Sequence, residues 1–180
     1  MKTYAAKTPP HLITLIILTS TSVLAMNMFL PSLTNMAAEF SVSYSVMNIS
    51  VAGYLAITAI LQVILGPLSD RFGRRPVLLG SILIFSLASL FCALSSNIWI
   101  FLSLRILQGA IISGMTLSRA IVRDIMDPKD AVRVLGTIAM AMAVAPMLGP
   151  ILGGVFDEIF GWRAIFWFYS GLGLFLFLLT

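Results

Sequence analysis

Apolar residues run along this chain in blocks of about twenty, and the short segments between the blocks hold most of the charge. The blocks lie near residues 12–32, 45–68, 76–95, 98–121, 133–156 and 163–180. A helix needs roughly 20 apolar residues to cross a bilayer, so each block predicts one crossing. The chain therefore reads as an all-α membrane protein of six transmembrane helices with short loops. Lys2 and Lys7 precede the first block in the manner of a signal peptide. That block, however, runs on for a full span without a clear small-x-small cleavage site, which predicts an uncleaved first helix.

Composition narrows the class. Of 180 residues, 59% are hydrophobic and 10% charged, against roughly 25% charged in a soluble domain. The reading is a single transmembrane domain over 1–180, in contact with membrane lipid. The net charge of +4 does not point to nucleic acid, because the basic residues sit between apolar spans and not on one soluble face. A lone Cys92 excludes an intrachain disulfide, and a lone His11 with no Cys/His/carboxylate cluster argues against a metal site or other cofactor. No nucleophile with a base lies inside the spans, so an enzyme is not expected. Asp124, Asp127 and Asp130 read as a solvated turn between helices.

The charges also predict orientation. Lys2, Lys7, Arg71, Arg74, Arg75, Arg119, Arg123, Lys129 and Arg133 fall on one side of the predicted membrane; Glu39, Asp157, Glu158 and Arg163 fall on the other. Short loops rich in Lys and Arg stay cytoplasmic, which places both termini there.

Two stretches repeat. Ile64-Leu65-Gly66-Pro67-Leu68-Ser69-Asp70 aligns with Ile151-Leu152-Gly153-Gly154-Val155-Phe156-Asp157, and Gly73-Arg74-Arg75 aligns with Gly161-Trp162-Arg163 after one inserted residue. An offset of three helices puts the copies on opposite faces, as in a 3+3 inverted repeat with units near 12–95 and 98–180.

Three segments carry candidate mechanism. In Gly66-Pro67-Leu68-Ser69-Asp70-Arg71-Phe72-Gly73-Arg74-Arg75-Pro76, Gly66 allows close helix approach, Asp70 offers a charge pair and Gly73 permits a tight turn. In Leu104-Arg105-Ile106-Leu107-Gln108-Gly109, Arg105 is the ionisable residue deep in a span, and such a charge is by default a functional candidate. Gln108, one turn away, shares its face. Snorkelling of Arg105 to the outer interface is the plainer alternative. In the fifth block, Pro146, Gly149, Pro150, Gly153 and Gly154 combine bends with close-contact positions.

These segments resemble the signature motifs of the major facilitator superfamily. Met28-Phe29-Leu30-Pro31-Ser32-Leu33, Ser118-Arg119-Ala120-Ile121-Val122-Arg123-Asp124 and Gly161-Trp162-Arg163-Ala164-Ile165-Phe166 resemble its bicyclomycin and chloramphenicol resistance subgroup of drug:proton antiporters. The resemblance implies an N-terminal six-helix half, with the C-terminal half absent from these 180 residues. It implies a gating loop in which Asp70 pairs with basic residues of neighbouring helix ends, Arg119 and Arg123 being available. It also implies a cavity arginine at Arg105 that assists proton transfer, an antiporter motif in the fifth helix, and small amphipathic substrates exchanged for protons across a bacterial inner membrane. Asn27 stands where the subgroup has an aspartate, and an amide cannot carry a proton near neutral pH; Asn27 is left to hydrogen-bond a substrate or Arg105, or to pack a helix. The chain's end at Thr180, straight after an apolar run, fits a truncated or split reading frame, inserted without autonomous transport. Two copies sharing one orientation fit a homodimer, and a separate C-terminal half is the other partner expected.

Overall fold

The computed structural model describes residues 12–180; Lys2, Lys7 and His11 lie outside the described residues. The described residues form helices and no strand: α1 Leu12–Glu39, α2 Tyr44–Phe72, α3 Arg74–Leu94, α4 Ile98–Ile125, α5 Pro128–Phe160 and α6 Arg163–Leu179. The first five are long and apolar enough to cross a membrane. The sixth has 17 residues, a rise of about 25 Å.

The helices outrun the apolar blocks. α1 continues past residue 32 to Glu39, α2 past 68 to Phe72, and α5 spans 128–160 instead of 133–156. Polar and charged residues end an apolar pattern without ending the i→i−4 hydrogen bonding. The acidic turn is corrected for the same reason. Asp124 is helical, Asp127 takes the N-cap position of α5 and Asp130 lies in its first turn. Pro128 at the first helical position and an acid in the first turn both favour a helix start there.

Local chemistry sets the remaining ends. The Ser43 hydroxyl accepts the Val46 N–H, and the Asn97 side-chain oxygen accepts the N–H groups of Trp99 and Ile100. Such caps satisfy donors that a helix start leaves open. α2 and α5 both stop at a glycine of positive φ, Gly73 at 97° and Gly161 at 79°, a conformation glycine reaches without strain.

α1 and α4 are each interrupted by a short 3₁₀ segment, Leu30–Ser32 in α1 and Gly109–Ile111 in α4. In α1 the cause is Pro31, which has no N–H to offer the Asn27 carbonyl and crowds it. The chain tightens, and the Ser32 N–H bonds the Phe29 carbonyl.

α3 packs most extensively on α6, α1 on α5, and α4 on α1, α2 and α3. Aromatic rings fill the centre: Phe101 lies edge-on to Trp162 and Phe166 at 5.8 and 5.4 Å, and Phe85 meets Tyr169 at 5.9 Å. α2 and α5 are much less buried along their apolar stretches than α1, α3 and α4.

Candidate functional site

Three clusters matter, one at each end of the bundle and one between. At the basic end, Gly73 turns the chain so that Arg74 starts α3 beside the last turn of α2. Arg74 pairs with Asp70 at 2.7 Å and with Asp124 at 3.1 Å, and donates to the Ser69 hydroxyl at 2.5 Å. Asp70 thus takes Arg74, four residues on, in place of the expected Arg119 or Arg123. Those two point elsewhere: Arg119 meets the Met142 sulfur at 3.0 Å, and Arg123 donates to the Arg119 carbonyl at 3.3 Å. The turn at Gly73 brings the start of α3 back beside the last turn of α2, which is why the nearer arginine wins. Asp124 completes a three-helix tie that the sequence reading assigned to a turn. Arg71 lies over the Phe72 ring at 5.4 Å. Arg75 is exposed, and a side chain at Gly66 would meet nothing within 4 Å.

In the middle, Arg105 is fully buried, so it neither snorkels nor borders an open cavity. Its guanidinium carbon lies 3.9 Å from the Phe29 ring centre, 4.6 Å from Tyr54 and 5.8 Å from Phe166. One terminal nitrogen donates to the Gln108 side-chain oxygen and the other reaches the Ala25 carbonyl at 3.5 Å. Gln108 donates onward to the Ser89 hydroxyl at 2.7 Å, which donates to the Phe85 carbonyl at 2.7 Å. Arg105 and Gln108 are therefore brought together, as their spacing implied. A desolvated cation on an aromatic face gains about 2 kcal/mol, and three faces serve here where a carboxylate would otherwise be needed.

Asn27 does not reach Arg105. Its amide donates to the Val23 carbonyl at 2.9 Å, one turn back, and its backbone packs on α5. A Cβ at Gly149 would stand 3.2 Å from the Asn27 Cβ, and one at Gly153 would collide with the Met28 carbonyl. The two glycines form a notch into which the tightened turn of α1 fits. Within the same motif Pro146 is exposed, Pro150 half-buried, and Gly154 open on its side-chain face.

The acidic end carries a cluster that the sequence reading missed. Arg163 pairs with Glu39 and also donates to the carbonyls of Ala93 and Ser95, both at 3.1 Å. The Trp162 indole N–H donates to Glu39 at 2.5 Å, and Asn35 donates to Asp157 at 2.7 Å. The available signal was a Trp-Arg pair opening a helix, opposite an acid that ends another.

A sequence model of the Major Facilitator Superfamily matches residues 15–180. A chloramphenicol resistance protein of Pseudomonas aeruginosa is 41% identical over 153 residues, 84% of this chain and 36% of that protein. An MFS-type transporter of Bacillus subtilis is 40% identical over 159 residues, 87% of this chain and 40% of its own length. Multidrug resistance protein D of Escherichia coli is 29% identical over 158 residues, again 87% of this chain and 40% of the relative. The chain thus spans about two-fifths of the length of the curated relatives it matches.

Proposed function

The chain belongs to the Major Facilitator Superfamily, and from that premise we propose that its six helices form one half of an exporter of small amphipathic drugs or metabolites. Members of the superfamily are multi-pass membrane transporters, not enzymes. Export proceeds by alternating access, with protons exchanged for substrate. The observation that carries this reading is the Asp70–Arg74–Asp124 tie at the basic end, in a chain whose relatives are named for drug resistance. A tie between helix ends can close one side of a pathway and release it. The positive-inside rule puts this end in the cytoplasm, together with both termini, in a bacterial inner membrane.

The helices are read as a 3+3 inverted repeat. Exchanging α1 with α4, α2 with α5 and α3 with α6 carries the α1–α5 contact onto α4–α2 and leaves α3–α6 and α1–α4 unchanged, and all of these contacts are made. The matching glycine ends of α2 and α5 support the same symmetry. The sparse burial of α2 and α5 suits them to face a second six-helix bundle, supplied by further chain or by another copy. Asn27 does not titrate, so proton exchange runs through some other group.

One observation favours a second reading. The chain spans 36% to 40% of its relatives' lengths, so under this reading the six helices insert in the membrane but do not transport unless a second bundle is added. Chloramphenicol accumulation in an efflux-deficient host separates the two. The chain alone is expected to lower accumulation relative to empty vector, and Arg105→Ala to abolish the effect. If neither protein lowers it despite confirmed insertion, autonomous transport is wrong.

A further inference from the structure

We propose that Tyr169 of α6 is a positioning residue for transport: with Arg105 it anchors the carbonyl end of the first segment of α1 and so holds Asn27 and Met28 in the α5 notch. The proposal rests on the reading of these helices as a transport bundle.

Tyr169 is fully buried, and its ring is gripped by Phe85, Phe166 and Phe168 at centroid distances of 5.9, 5.8 and 6.4 Å. Phenylalanine would fill the same space. A buried hydroxyl without a partner costs on the order of 1–3 kcal/mol, and this one has a partner: it donates to the Leu24 carbonyl at 3.0 Å. The same carbonyl accepts the Met28 N–H at 2.9 Å, which marks the last α-helical turn before the Pro31 interruption. The next carbonyl, that of Ala25, receives Arg105. Two consecutive carbonyls are therefore held by side chains from two other helices, immediately before α1 tightens.

The placement has a consequence for α5. With Ser32 bonded to Phe29, the Met28 carbonyl is turned toward Gly153, where only the missing side chain makes room. A glycine notch excludes wrong shapes but does not pull the right one in. The pull comes from behind α1, where Tyr169 and Arg105 fix the turn that enters the notch. Tyr169 thus couples α6 to the α1–α5 contact without touching α5 through its hydroxyl.

The test is disulfide formation between Asn27→Cys and Gly149→Cys in the full chain, in native membranes, with Cys92→Ser to remove the native thiol. A Cβ at Gly149 would lie 3.2 Å from that of Asn27, near the roughly 3.5–4.5 Å of a bridged pair. Loss of maleimide labelling after oxidation gives the rate. Tyr169→Phe is expected to slow bridging at least threefold. Ser86→Ala, which removes a comparable hydroxyl bond from α3 to the Ser170 carbonyl of α6, is expected to leave the rate unchanged. An unchanged rate in Tyr169→Phe overturns the proposal. So does equal slowing in Ser86→Ala, which would mean general loosening, and so does failure of Tyr169→Phe alone to insert, which would make the hydroxyl a folding requirement. If the parent chain does not transport, autonomous transport fails while the bridging result stands.

Discussion

Arg105 illustrates how a cation is kept inside an apolar bundle when no acid faces it. At the centre of a membrane helix arginine costs about 2.5–3.5 kcal/mol on insertion scales, and here the rings of Phe29, Tyr54 and Phe166, the Gln108 oxygen and the Ala25 carbonyl share the compensation. A planar guanidinium can lie on a ring while its edges donate in two directions; a lysine ammonium cannot. Arg105→Lys should therefore lower the melting temperature of the detergent-solubilised protein by several degrees, read by fluorescence-detected size exclusion; on the order of 1–3 kcal/mol is at stake for the charged hydrogen bonds alone. The glycines of α5 give a sharper contrast. Gly153→Ala drives a methyl into the Met28 carbonyl, whereas Gly154→Ala meets nothing. In the same assay the first should destabilise by roughly 1–3 kcal/mol and the second should leave stability unchanged, though both occupy one Gly-Gly pair.

At the scale of helices, the two ends of the bundle are tied by one device used twice. A helix stops at a positive-φ glycine, and an arginine soon after it reaches back to an acid: Arg74 after Gly73, Arg163 after Gly161. The acid–arginine pairs are half-exposed, and exposed pairs are worth about 0–1 kcal/mol. The arginine at the acidic end does more, because it also closes the open carbonyl end of α3 at Ala93 and Ser95, groups that a helix end leaves unsatisfied. Arg163→Gln should thus cost clearly more thermal stability than Glu39→Gln, which leaves those carbonyl bonds in place. Equal losses would show that the ion pair is the larger part. Gly73→Ala and Gly161→Ala each force a side chain into an extended positive-φ conformation that is essentially glycine-only, at a cost on the order of 1–3 kcal/mol, measurable in the same way.

For the whole molecule, the unevenness of burial is the main feature. α3 is clasped by α6, while α2 and α5 leave Val63, Ile64, Met147 and Ile151 exposed. If a second copy covers this face, Met147→Cys in a Cys92→Ser background should give a species of twice the mass with a bifunctional maleimide in membranes. Recovery of monomer alone would set the two-copy arrangement aside.

Much of this was legible in the residues. Runs of apolar residues determine six helices because a bilayer leaves the backbone no other way to satisfy its hydrogen bonds along a span, and Arg105 stood out because a charge in such a run is costly. The Arg105–Gln108 contact was legible too, since residues three apart on a helix are neighbours wherever that helix goes. Partners from different helices were not. The linkage of Glu39 to Trp162 and Arg163, the three rings around Arg105 and the Tyr169 hold on Leu24 join residues distant in the chain, and the choice of Arg74 over Arg119 for Asp70 turns on the bend at Gly73 between two helices. Their meeting depends on how α1, α3, α4 and α6 pack, and no periodicity within a single helix encodes that.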